Sequence, residues 1–170
     1  QPIKDPIISC ASCTTNNLAP IVKVIDENFG IAKAFMSTIH AYTSDQELLD
    51  GSHQDLRRSR AAGINIIPTT TGAVKATTKV YPRIAGLFDG LAFRVPVACG
   101  SLSDITILTQ KNVTVDMINQ ALTTASQSYL KNILGVTQSP LVSTDIIHTN
   151  YSALIDLSLT KVVADNLVKI

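Results

Sequence analysis

Charge is scarce in this chain: Lys and Arg number 14, Asp and Glu 13, and together they make up 16% of its 170 residues. Soluble domains usually carry roughly 25%, so part of the surface is expected to lie against another domain or subunit. An excess of one sign is missing too. The balance is +1, with no basic block or stripe, which excludes the electrostatic footprint of a nucleic-acid or anionic-lipid partner. Long hydrophobic runs are absent. The longest uncharged stretch, Pro6 to Val22, contains Ser, Cys, Thr and Asn and falls short of the roughly 18 to 20 apolar residues of a membrane span. Three cysteines, Cys10, Cys13 and Cys99, are too few and of the wrong parity for a secreted disulfide scaffold. A reducing compartment, the cytoplasm, is the expectation. The sequence opens Gln1-Pro2-Ile3-Lys4-Asp5, with neither an initiator Met nor a signal pattern, and is read as an excised domain. No Gly-x-Gly-x-x-Gly occurs, so no dinucleotide-binding βαβ unit is expected in these residues.

What is present is a hydrophobic content of 45%, enough for a core in one globular domain spanning residues 1–170. After a short extended lead-in at Ile7-Ile8, Leu18, Ile21, Val22, Ile25 and Phe29 form one apolar stripe, which predicts a helix from near Cys13 to Gly30. Ile31 to His40 reads as a strand, with Ile31, Phe35 and Ile39 on one side and Lys33 and Ser37 between them. Ala41 to Asn65 is polar and too long for an idle connection, which points to function. Leu91, Phe93 and Val95 alternate with Ala92 and Arg94, and Ser103 to Gln110 and Ala153 to Thr160 are further strand-like runs. Val115, Ile118, Leu122, Ala125 and Tyr129 keep helical spacing, with Thr114 as N-cap and Gly135 after the expected end. The fold class is therefore α+β, a mixed, largely antiparallel sheet with helices on one face.

The run Ser9-Cys10-Ala11-Ser12-Cys13-Thr14-Thr15-Asn16-Asn17 places a cysteine where an extended segment enters a helix. The unpaired N–H groups and positive dipole end of that helix favour the thiolate at Cys13, and the same N–H groups can hold an oxyanion. By itself such a cysteine is more often a small buried residue. Its neighbours alter that reading. Ser12-Cys13-Thr14-Thr15-Asn16 followed by Leu18-Ala19-Pro20 resembles the active-site signature of phosphorylating glyceraldehyde-3-phosphate dehydrogenases. Thr38-Ile39-His40-Ala41-Tyr42-Thr43, Asp55 to Ala62, Ile67 to Ala73, Arg94-Val95-Pro96 and Ser143-Thr144-Asp145 resemble further motifs of the family, in family order.

The resemblance, running from about Ile7 to Ile170, implies the catalytic domain of such an oxidoreductase. It implies Cys13 as the nucleophile that forms a thiohemiacetal and then a thioester, and His40 as its proton acceptor. Thr43, Asp45 and Arg94 would grip the phosphate of the sugar-phosphate substrate. Ser12, Thr14, Arg58, Thr71 and Gly72 would grip inorganic phosphate, because oxygen anions want Arg forks, hydroxyls and backbone N–H groups. Asp45, electrostatically awkward beside phosphate, is expected to orient Arg94 or a hydroxyl, and its loss to weaken phosphate binding. Thr69, Thr70, Arg57, Arg60, His53 and His148 are read as structural. Thr14 also resembles a residue lining the nicotinamide edge, and the cofactor implied is NAD or NADP. The small pair Gly51-Ser52 is similar to photosynthetic-type members that tolerate the extra phosphate of NADP. A homotetramer is implied for the complete enzyme, with Ala41 to Asn65 resembling the family's S-shaped loop. The family's dinucleotide-binding domain and final C-terminal helix have no counterpart in this sequence, so the isolated chain is expected to be inactive.

Two positions depart from the family pattern. Cys10 stands where Asn is usual, and Asn17 where a second Cys is common. The resulting Cys10-x-x-Cys13 is also the dithiol motif of thioredoxin-like proteins, one rival reading. A zinc site would need more ligands. An erythrose-4-phosphate dehydrogenase domain is a second rival, against which the intact Thr69-Thr70-Thr71-Gly72 favours the triose, and a non-catalytic assembly domain a third.

Overall fold

The computed structural model describes residues 7, 9, 10 and 12–170. The lead-in expected at Ile7-Ile8 lies partly outside the described residues, because Ile8 is not among them. The first helix, α1 (Cys13–Phe29), starts where the apolar stripe places it. The Ser12 hydroxyl accepts from the Thr15 amide at 3.2 Å, satisfying one of the donors a helix start leaves open. Gly30, at φ +70°, turns the chain out of the helix, and its N–H donates to the Asp26 carbonyl. A side chain is strained at that φ.

Six strands make the main sheet: β1 (Ile31–Ala41), β2 (Ile67–Thr69), β3 (Phe88–Val95), β4 (Ser101–Thr109), β7 (Lys161–Val163) and β8 (Leu167–Lys169). Their order is β2-β3-β1-β4-β8-β7. Only β1 and β3 run parallel; the other neighbours are antiparallel. A small parallel pair, β5 (Leu134–Thr137) with β6 (Ala153–Asp156), completes the sheets, and α2 (Ala73–Val80) and α3 (Val115–Gln127) complete the helices.

Register decides which face is buried. Met36 lies opposite Ile105 on β4 and Gly90 on β3, and Ala34 opposite Ile107. Ile31, Met36, Phe88, Ile105, Ile107 and Val168 of the sheet share one core with Leu18, Val22 and Ile25 of α1, Val74 of α2 and Ile118 and Leu122 of α3, and Ala34 packs against it. All three helices therefore cover the same face of the sheet. Each fully buried aliphatic side chain contributes about 1.5–3 kcal/mol relative to exposure. Gly90 permits the close approach of β1 and β3, since a Cβ there would sit 2.7 Å from the Met36 carbonyl oxygen. Asp26, buried on α1, accepts from Tyr81 Oη at 2.8 Å and Arg83 Nε at 2.9 Å, which ties the helix to the segment after α2. Burial and this carboxylate push the Tyr81 hydroxyl up to about 12.

The α+β class and the helical stripe stand as read, and several local expectations do not. Met36 and Thr38 point into the core, whereas Phe35 is 44% exposed. A register shift between Ile31 and Lys33 reverses the facing, so Ile31 is buried while Phe35 and Ile39 lie on the outer face with Lys33 and Ser37. α3 stops at Gln127, leaving Tyr129 outside it, and Gly135 sits within β5 instead of ending the helix. Ala153 to Thr160 is strand only to Asp156, whose side chain accepts from the Ser158 amide and starts a short 3-10 turn, Leu157–Leu159.

Candidate active site

Three segments supply the reactive groups. Cys13 is the first residue of α1, His40 lies near the end of β1, and Arg94 is the cross-strand partner of His40 on parallel β3. Being in register, His40 and Arg94 share a face, and that face is the one α1 covers. Cys13 Sγ stands 3.2 Å from His40 Nε2. His40 Nδ1 lies between an acceptor, the Ala41 carbonyl oxygen at 2.7 Å, and a donor, Arg94 Nη1; in the tautomer that gives Nδ1–H to the carbonyl, Nε2 is the acceptor facing the thiol. Arg94 Nη1 donates to the same carbonyl at 2.9 Å and lies 2.8 Å from Nδ1. Burial above all, and then the positive Arg94, lower the His40 pKa from its usual 6.5, against the raising effect of the Ala41 carbonyl. The ring is thus kept neutral, the state in which it can take a proton from a thiol.

Arg94 is itself lowered by burial first and by Arg58 next, while Cys13 and Asp45 act in the opposite sense. Its Nε is buried without a partner among the described residues. Arg58, on the long loop, is held on every nitrogen. Nε donates to Thr69 Oγ1 at 2.9 Å, Nη2 to the Thr70 carbonyl at 3.4 Å, and Nη1 to Asp45. Asp45 thus pairs with Arg58, and its Oδ1 lies 3.7 Å from His53 Nε2. The expectation that it orients Arg94 is corrected: the loop carries Asp45 and Arg58 to the same edge of β2. Thr69, read as scaffold, touches Arg58 directly, and its hydroxyl donates a hydrogen bond to Asp55 Oδ2 at 3.0 Å. The signal available in the sequence was an acid three residues ahead of the arginine. The Arg57 amide, foremost, keeps the Asp55 carboxyl below its ordinary range.

The remaining expected residues have local partners of their own. Ser12 caps α1, and Thr14 is buried with Oγ1 3.9 Å from Cys13 Sγ. Thr71 and Gly72 follow the Thr70 carbonyl into the start of α2. There the Thr71 hydroxyl accepts from the Ala73 amide at 3.2 Å and Gly72 offers no side-chain cap. Thr43 is half-buried, its amide donating to Gln46 Oε1 at 3.2 Å. His53 is occupied by the Asp55 amide at 2.9 Å, as a structural histidine would be. Among the described residues no cluster of His, Cys, Asp and Glu could hold a metal ion, and no helix is long and apolar enough to cross a membrane. A thiol with a neutral imidazole acceptor and the Arg94 guanidinium beside that imidazole is suited to nucleophilic attack on an anionic carbonyl substrate.

Comparison with known proteins bears on the same residues. The family described as glyceraldehyde 3-phosphate dehydrogenase, C-terminal domain, matches residues 12–170. Glyceraldehyde-3-phosphate dehydrogenase 2 of Streptomyces avermitilis is 50% identical over 170 residues, 100% of this chain and 51% of that protein. Glyceraldehyde-3-phosphate dehydrogenase of Mycobacterium bovis is 52% identical over 159 residues, covering 94% and 47% respectively. The chloroplastic form A of Chlamydomonas reinhardtii is 50% identical over 165 residues, covering 97% and 44%. The chain spans about half the length of the curated relatives it matches. These matches do not favour the dithiol-module or erythrose-4-phosphate alternatives. Matched over residues 12–170 and half identical to a relative along its whole length, the chain belongs to the glyceraldehyde 3-phosphate dehydrogenase C-terminal domain family.

Proposed function

We propose that this chain is the catalytic domain of a phosphorylating, NAD(P)-dependent glyceraldehyde-3-phosphate dehydrogenase. The observation that carries the reading is the 3.2 Å contact of Cys13 Sγ with His40 Nε2. His40 takes the thiol proton, the Cys13 sulfur attacks the aldehyde carbon, and the proton passes from His40 to the carbonyl oxygen, giving a thiohemiacetal and a neutral imidazole. His40 then removes the hydroxyl proton as the carbon is oxidised to the thioester. NAD or NADP, when bound, supplies the acceptor for the hydride. The residues of this chain fit only the reacting end of that cofactor: Cys13 is exposed, and Thr14 stands beside it. A glycine-rich turn for the pyrophosphate is missing from the sequence, so a dinucleotide-binding domain outside these residues is required.

Arg94 with Thr43 binds the substrate phosphate, and Asp45, paired with Arg58, sets how freely that guanidinium meets an anion. Arg58, Ser12, Thr14, Thr71 and Gly72 bind inorganic phosphate, whose oxygen attacks the thioester and expels the Cys13 thiolate. Gly72 adds no side-chain cap at the start of α2, and first-turn N–H groups other than that of Ala73, which the Thr71 hydroxyl takes, are donors for that anion. Substrate and phosphate are the small-molecule partners, and a homotetramer in the cytoplasm is the assembly and setting that the family resemblance favours.

The test is the alkylation rate of each cysteine against pH, read by peptide mass spectrometry. Cys13 is expected to react faster near neutral pH than Cys10 and Cys99, and His40→Ala to slow it by at least about tenfold. Equal rates at all three cysteines, unaffected by His40→Ala, would sink the reading.

A further inference from the structure

We propose that Cys10 is a resolving thiol for Cys13, so that a hydroperoxide drives the pair to a disulfide instead of driving Cys13 to irreversible acids. The inference rests on the reading of Cys13 as the reactive thiol. Both sulfur-bearing residues are exposed and both are free thiols. Three residues of chain reach no more than about 10 Å even when extended, and a disulfide needs its Cα atoms within about 7 Å. Cys10 is also tied to the helix that Cys13 begins. Asn16, in the first turn of α1, donates from Nδ2 to the Cys10 carbonyl at 3.0 Å, while its own amide donates to the Ser12 carbonyl at 3.0 Å. One residue of the helix thus holds the Cys10 peptide against the turn that carries Cys13. Ser12, just before Cys13, has a φ of +143°, a conformation that residues with side chains rarely adopt.

The chemistry balances on groups already present. His40 Nε2 takes the Cys13 proton, and the thiolate attacks the peroxide oxygen, forming S–O and breaking O–O. The proton returns to the leaving oxygen, giving an alcohol, or water when the oxidant is hydrogen peroxide, and Cys13 sulfenic acid. The Cys10 thiolate then attacks the Cys13 sulfur, forming S–S and releasing the hydroxyl, with a proton, as water. Two thiols lose two electrons in all, and one peroxide gains them. Cys99 is the competitor for this role, since Gly100 beside it accepts a hydrogen bond from the Ala41 amide at 3.0 Å, next to His40.

The experiment treats the chain, Cys10→Ser and Cys99→Ser with a small excess of hydrogen peroxide, followed by alkylation and peptide mapping. Iodoacetamide rates of the unoxidised proteins are measured in parallel. The wild type and Cys99→Ser are expected to lose two hydrogens in a Cys10–Cys13 bridge that dithiothreitol opens. Cys10→Ser is expected to accumulate Cys13 sulfinic acid about tenfold faster than the wild type. Equal sulfinic acid formation in wild type and Cys10→Ser, or a bridge from Cys13 to Cys99, overturns the proposal. If Cys13 alkylates quickly yet forms no bridge to Cys10, the resolving role alone fails. If Cys13 alkylates no faster than the other two cysteines, the catalytic reading falls with it.

Discussion

At the scale of single residues, the charge on His40 is set by what surrounds it. Its pKa lies below 6.5 chiefly through burial, so the unfolded chain binds the proton more readily than the folded one. The sign follows: this residue's contribution to stability is present above 6.5 and is lost as the pH falls through the folded value. A proton NMR titration of the ring should give a midpoint below 6.5, and Arg94→Gln should raise it by removing a neighbouring positive charge. A midpoint unmoved by Arg94→Gln would show that burial alone sets the value. Asp45 leads to a second expectation. Arg58 keeps Thr69 and Thr70 as anchors when Asp45 is removed, and the carboxylate competes with any anion for the same guanidinium. Asp45→Ala should therefore tighten phosphate binding by about two- to fivefold, a size fitting an exposed pair. Calorimetric titration with phosphate reads this directly, and weaker binding would mean that Asp45 holds Arg58 in its working position.

Among the elements, the β1–β3 pair is the most exacting, because Gly90 leaves room for nothing more than hydrogen against the Met36 carbonyl. Gly90→Ala should cost about 1–3 kcal/mol by forcing these strands apart. Thr114→Ala, which removes the side-chain acceptor for the Met117 amide at the start of α3, should cost about 1 kcal/mol. Urea denaturation of both variants gives the comparison; only the first should also slow Cys13 alkylation, since β1 and β3 carry His40 and Arg94. The sequence announced α1, its start at Cys13 and the N-cap of α3, because a 3.6-residue stripe and a capping hydroxyl are local signals. It also brought Cys13, His40, Arg58 and Arg94 forward through their motifs. The facing of β1 was not legible, since a shift at Ile31 and Lys33 depends on the neighbouring strand. Nor was the pairing of Asp45 with Arg58, which is made by the path of a loop through space. Strands as short as β2, β7 and β8 are fixed by their partners and carry too few residues for alternation to show.

For the molecule as a whole, the sheet has one face under three helices and one without such cover. On the latter, Ile39 pairs in register with Leu102 and Phe93, and Phe35 and Leu91 lie on the same side. Phe35 and Leu102 remain 44% and 54% exposed. An apolar strip of this kind, in a chain so poor in charge, suits burial against another copy in the proposed tetramer. Phe35→Glu with Leu102→Glu should reduce the sedimentation coefficient of the longer enzyme while leaving the circular dichroism spectrum unchanged. An unaltered assembly would place the subunit contact elsewhere.

The thiol and its acceptor belong to different elements, and α1 is gripped mainly along its middle and far end by Leu18, Val22, Ile25 and Phe29. Cys13 is the first residue of that helix, so the packing of the helix sets where the sulfur stands. Any slip of the helix along its axis is delivered to the gap between sulfur and imidazole, however remote the cause. Reactivity of the cysteine is in this sense a gauge of packing at the opposite end of the helix, readable without any substrate.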